Sequence, residues 1–81
     1  MATVNFRVCT PNAIGDTTIV VKDQNNNGVV IFNGPVAQDS CSASIPATGN
    51  GSDEATLLIS VNGGTPYTKD FVKDGDDVNV F

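Results

Sequence analysis

The chain has 81 residues, 40% of them apolar, with nine acidic side chains against four basic ones and a net charge of −5. That length makes one domain, residues 1–81, with a thin core. The acidic balance argues against nucleic acid and anionic membrane surfaces as partners, since both demand Lys and Arg patches, and no apolar run approaches the roughly 20 residues of a membrane helix.

Met1-Ala2-Thr3 leads directly into a strand with no leader pattern, which reads as a mature fragment behind an added Met, any signal lying upstream. Residues 3–8 alternate, Val4, Phe6 and Val8 on one face and Asn5 and Arg7 on the other, the period of a half-buried strand. Cys9 ends it, before the turn-prone Thr10-Pro11-Asn12. Residues 17–22 and 29–32 form the arms of a central hairpin, dominated by β-branched residues, with Asn27-Gly28 supplying residues that tolerate positive φ. Apolar side chains on both faces of these arms predict interior strands. Asn33-Gly34-Pro35 ends the second arm, and residues 36–40 read as a short edge strand leading to Cys41.

Residues 42–53 are the longest polar stretch and read as an exposed loop, with Ile45 pinned inward. Residues 54–61 alternate again: Ala55, Leu57, Ile59 and Val61 point inward, Thr56 and Ser60 outward, and Leu58 sits on the outer face. Asn62-Gly63-Gly64-Thr65 is a turn, residues 67–72 a strand, 73–76 a further turn, and 77–81 the final strand. No stretch carries a helical period. Six or seven short strands with turn signals every 8–12 residues predict an all-β fold, a small antiparallel β-sandwich.

Two cysteines in a small, acidic, Asn- and Gly-rich chain predict a Cys9–Cys41 disulfide and an oxidising compartment, extracellular or periplasmic. The alternative is a pair of buried free thiols. With no His, the commonest general base and transition-metal ligand is missing, so a non-enzymatic role is expected.

Asp23-Gln24-Asn25-Asn26-Asn27-Gly28 fits D-x-N-x-N-G, which puts the oxygens of Asp23, Asn25 and Asn27 on one side of a tight loop, as weak calcium binding requires. It resembles the first half of an EF-hand loop over those six residues only. Gly34 stands where that family has its bidentate Glu, and the flanks are strands, so an EF-hand is ruled out. The other reading is structural, since Asp, Asn and Gly are what hairpin turns are made of. Asp70, Asp74, Asp76 and Asp77 form a second acidic group, either a contact for a cation or basic partner or a solvated turn that protects a sheet edge. Tyr67 is the candidate for stacking on a sugar, or else it caps the core. Asn50-Gly51-Ser52 is a glycosylation sequon, and Asn-Gly recurs at 27, 33, 50 and 62.

The strand, D-x-N-x-N-G turn, strand pattern is similar to bacterial surface Ig-like and prealbumin-like modules. Some of those carry a Lys–Asn isopeptide bond, and here Arg7 stands in the first strand where such a domain needs Lys. The expected function is a non-enzymatic binding module, recognising a glycan or acting in adhesion through its loops. The alternative is a structural subunit that assembles into homo-oligomers through edge strands, with Leu58 and Phe81 outward.

Overall fold

A computed structural model describes residues 2–81, so the reading of Met1 as an added start lies outside it. Seven strands form two facing sheets: β1 (Thr3–Cys9), β2 (Thr17–Asp23), β3 (Val29–Val36), β4 (Ile45–Thr48), β5 (Glu54–Val61), β6 (Tyr67–Lys73) and β7 (Asp76–Asn79). The small sheet has the order β4-β1-β7 and the large one β3-β2-β5-β6. The predicted β-sandwich is therefore present. Its pairing is antiparallel except between β1 and β7, which run parallel with Phe6 opposite Asp76 and Cys9 opposite Asn79.

The core lies where the alternating strands predict it. Val4, Phe6 and Val8 of β1 meet Ile19 and Val21 of β2 and Ala55, Leu57 and Ile59 of β5, all buried. Val61 is only partly buried and packs at the margin. Leu58 is on the outer face, opposite Lys22 and Thr68.

Several expectations are corrected. The second hairpin arm runs on to Val36 and forms a sheet edge rather than an interior strand. Val29 and Val30 are about half exposed, at 46% and 48%, so their β-branching here serves strand geometry more than burial. Residues 37–40 are no edge strand but a turn. Buried Thr10 holds it: its Oγ1 donates to the Ala37 carbonyl at 2.7 Å, its N–H donates to Ser40 O, and its carbonyl accepts from Asp39 N. The polar stretch 42–53 contains β4, which buries Ile45 and Ala47 against the core. After it, Gly49 approaches the first strand so closely that a Cβ would meet Ala2 O at 3.0 Å. The final strand is Asp76–Asn79, and Phe81 lies beyond it, 60% exposed. Between them, Val80 N donates to Cys9 O, so the chain still follows β1.

All four edge strands carry features that discourage pairing with another chain. β3 has a bulge and Pro35, β4 is four residues long and contains Pro46, β6 has a bulge with Lys69 and Lys73 beside it, and β7 is four residues long and opens with Asp76-Asp77.

Candidate functional site

The D-x-N-x-N-G stretch closes the central hairpin and also ties the two sheets together. Asp23 is 2% exposed and caps a short 3₁₀ turn over Gln24–Asn26. Its Oδ1 accepts from Asn25 N at 3.2 Å and its Oδ2 from Thr48 N at 2.8 Å. Asn25 Nδ2 donates to the carbonyls of Thr48 at 2.9 Å and Glu54 at 3.3 Å. Asn27 supplies the left-handed residue that ends the turn, at φ 58°. Both Asp23 carboxylate oxygens are thus engaged by backbone amides of this chain, and the motif joins β2 of the large sheet to β4 of the small one.

The second acidic group is divided among separate tasks. Asp74 Oδ1 accepts from Asn5 N, and Asp76 Oδ2 from Lys73 N, which shapes the β6–β7 turn against β1. Asp77 faces Arg7 across the parallel pair, with Nε to Oδ1 at 2.8 Å and Nη2 to Oδ2 at 2.7 Å. The hydrogen bond from Arg7, and secondarily its charge, hold the Asp77 carboxyl below its ordinary range against the opposing effect of partial desolvation. The same bond raises Arg7. A carboxylate depressed in the folded state stabilises above its unfolded value, about 3.9, and loses that contribution as pH falls through the lower folded value. The melting difference between the native chain and Asp77→Asn is therefore expected to be constant from neutral pH to about pH 5, to shrink as pH falls below about 3.9, and to vanish once the lower folded value is passed, followed by thermal unfolding on acidification. Both side chains are about half exposed, so the difference is small.

The two members of the Arg7–Asp77 pair line different cavities, Asp77 one and Arg7 the other. One, about 200 Å³, lies beside the disulfide and is lined by Pro11, Asp39, Ser40, Asp77, Asn79 and the Cys9–Cys41 bridge itself. That bridge is formed as expected and closes a separation of 32 residues. Among the described residues, one trio of metal-type donor atoms comes together, Cys9, Cys41 and Asp77, and two of its three atoms are the disulfide sulfurs. The other cavity, about 290 Å³, opens at the β6–β7 turn between Asn5, Arg7, Ser44, Asp74 and Asp76.

Tyr67 reaches neither cavity. It starts β6 opposite Ile59, 40% exposed, and partial burial raises its hydroxyl above the ordinary tyrosine value. Asn50 is exposed, but its Oδ1 accepts from Ser52 N and Glu54 N and so shapes the turn before β5. Two further aromatic or apolar side chains escape sequence reasoning. Ile14 stands fully exposed in the β1–β2 connection. Phe71 is 72% exposed within β6 and takes φ 61°, a conformation worth roughly 1–2 kcal/mol of strain for a residue with a Cβ.

No protein-family model, no curated protein and no solved structure matches this chain.

Proposed function

We propose that this chain is a non-enzymatic recognition module of an extracellular or periplasmic compartment, and that it binds a glycan end in the cavity beside the disulfide. The observation that carries the reading is the composition of that cavity. Pro11 and the Cys9–Cys41 bridge supply an apolar side, while Asp39, Ser40, Asp77 and Asn79 supply acceptors and donors. A sugar ring presents the same mixture, an apolar face edged by hydroxyls that both donate and accept. At about 200 Å³ the cavity is smaller than ordinary ligand pockets, which suits one terminal sugar unit and weak, repeated adhesive contacts. The disulfide supports the oxidising compartment. The absence of His supports a role without catalysis. Assembly by strand pairing is the less favoured reading, since every edge strand is short, bulged, charged or interrupted by Pro.

A glycan array run with and without calcium, followed by calorimetric titration of the best hit, tests this. Asn79→Ala is expected to weaken binding at least about tenfold while the melt stays unchanged, the loss of a hydrogen-bonding side chain from a small site. Asn79 is exposed and joins the sheet through its backbone, so the substitution spares the core. Binding abolished by Tyr67→Ala and untouched by Asn79→Ala would move the site to the start of β6. No glycan bound at millimolar concentration would retire the reading.

A further inference from the structure

We propose that Phe71 is the anchor of a symmetric contact between two copies of this chain, its ring seating in the partner's cavity at the β6–β7 turn. The starting point is a residue held in a strained backbone conformation with most of its side chain in solvent. Ala55 pairs with Val72 and Leu57 with Lys69, so Thr56 alone faces both Asp70 and Phe71, and the extra residue is a bulge. Bulges of this kind normally place Gly at the positive-φ position, because a side chain there is strained. Here the position carries a phenyl ring that is 72% exposed at φ 61°. Strain of this sort persists where the surrounding structure enforces it, and it clusters at functional sites such as ligand clamps. The bulge aims a large rigid aromatic outward from an otherwise protected edge, and aromatic side chains are what interface anchors are made of.

Charge points to a second copy as the occupant. Lys69 and Lys73 lie two positions to either side of Phe71 on β6, and although Asp70 stands between, this stretch is net positive in a chain of nine acids and four bases. A net-positive stretch around an aromatic fits an acidic receptor, and the cavity at the β6–β7 turn is lined by Asp74 and Asp76, while the Arg7 on its wall is already paired with Asp77. Its volume, about 290 Å³, leaves room for a ring. Phe71 and Asp74 are three residues apart, so their Cα atoms lie within about 11 Å of each other. Knob and cavity therefore share one corner of the domain. In a two-fold arrangement each copy then gives a ring and receives one, the condition for a closed dimer rather than a filament. The contact is made by side chains and leaves the bulged strand edge unpaired. The disulfide-side cavity shares no lining residue with the one that receives the ring.

Sedimentation equilibrium of the disulfide-bonded chain from about 10 μM to about 1 mM, the range of weak contacts, tests the proposal. The native chain is expected to pass from monomer to dimer across that range. Phe71→Gly removes the ring and suits the left-handed backbone. It is expected to raise the dissociation constant at least about tenfold and to melt no lower than the native chain. Ser44→Trp fills the cavity from an exposed loop position and leaves Phe71 itself unchanged, and is expected to weaken the dimer by a similar factor. A native chain that stays monomeric at the highest concentration overturns the proposal. So does a dimer that survives Phe71→Gly, which places the contact elsewhere. A dimer lost in Phe71→Gly but unchanged in Ser44→Trp overturns the seating of the ring in this cavity.

Discussion

Asp23→Ala is expected to destabilise the domain by about 2–4 kcal/mol. The carboxylate is buried and accepts two backbone hydrogen bonds, one within its own turn and one from Thr48 on the opposite sheet. Losing the cap on the 3₁₀ turn costs about 1 kcal/mol, as for an N-cap. Leaving the Thr48 amide without its acceptor adds about 1–3 kcal/mol, because a partly buried donor has been stripped of water and given nothing in return. Asp23→Asn keeps one acceptor oxygen and is expected to lose about half as much. Urea unfolding in a chelating buffer is the proper measurement. A loss that appears in full without any divalent ion marks the carboxylate as a clamp between sheets. A loss that appears only when calcium is present would mark it as a cation ligand instead.

The same residue shows where sequence reasoning stopped. The hairpin was legible because its information is local: β-branched arms, a turn that needs positive φ, and Asn27-Gly28 at the point of reversal. The partner of Asp23 is 25 positions away and is a backbone amide, which no residue type announces. The bland reading of the motif as turn chemistry and the sharper one as a cation loop both missed a tie between sheets. β1 and β5 were legible because one face is core and the other solvent, which writes a period of two into the chain. β4 was not, since four residues with Pro46 among them give only Ile45 and Ala47 as inward signals. β3 misled because an apolar edge strand and an apolar interior strand read alike; only the strand order separates them. Of the candidate site, Asp77 was singled out, but its pairing with Arg7 spans 70 positions and depends on β7 running parallel to β1. Phe71 is invisible in sequence, because a bulge shifts its strand and nothing in Asp70-Phe71-Val72 marks a residue of positive φ.

Replacing both cysteines, Cys9→Ala with Cys41→Ala, is expected to cost about 3–4 kcal/mol. The bridge spans 32 positions, and closing a loop of that size removes conformational freedom from the unfolded chain by about that amount in the chain-entropy account. A domain of this length holds roughly 4–12 kcal/mol in all, so a large share of its stability rests on one bond. At about 4–8 °C per kcal/mol for small domains, the melting temperature falls by about 12–30 °C. The folded state should nonetheless survive the loss at low temperature. The end of β1 and the 37–40 turn are also joined without sulfur, through Thr10 to Ala37, Asp39 and Ser40, and Ser42 N donates to Val8 O just beyond. Those bonds act in the folded state, whereas the disulfide acts chiefly on the unfolded one, so the variant is expected to keep the native near-ultraviolet spectrum in the cold and lose it early on heating. The proposed glycan binding should weaken before unfolding begins, because Cys9 and Cys41 line the cavity beside Asp39 and Asn79. Thermal scans of the native chain with and without reductant, beside the double variant, provide the measurement. A reduced chain that melts within about 3 °C of the oxidised one, a difference below 1 kcal/mol, would mean that the Thr10 bonds and the core already hold this end of the sandwich without the bridge.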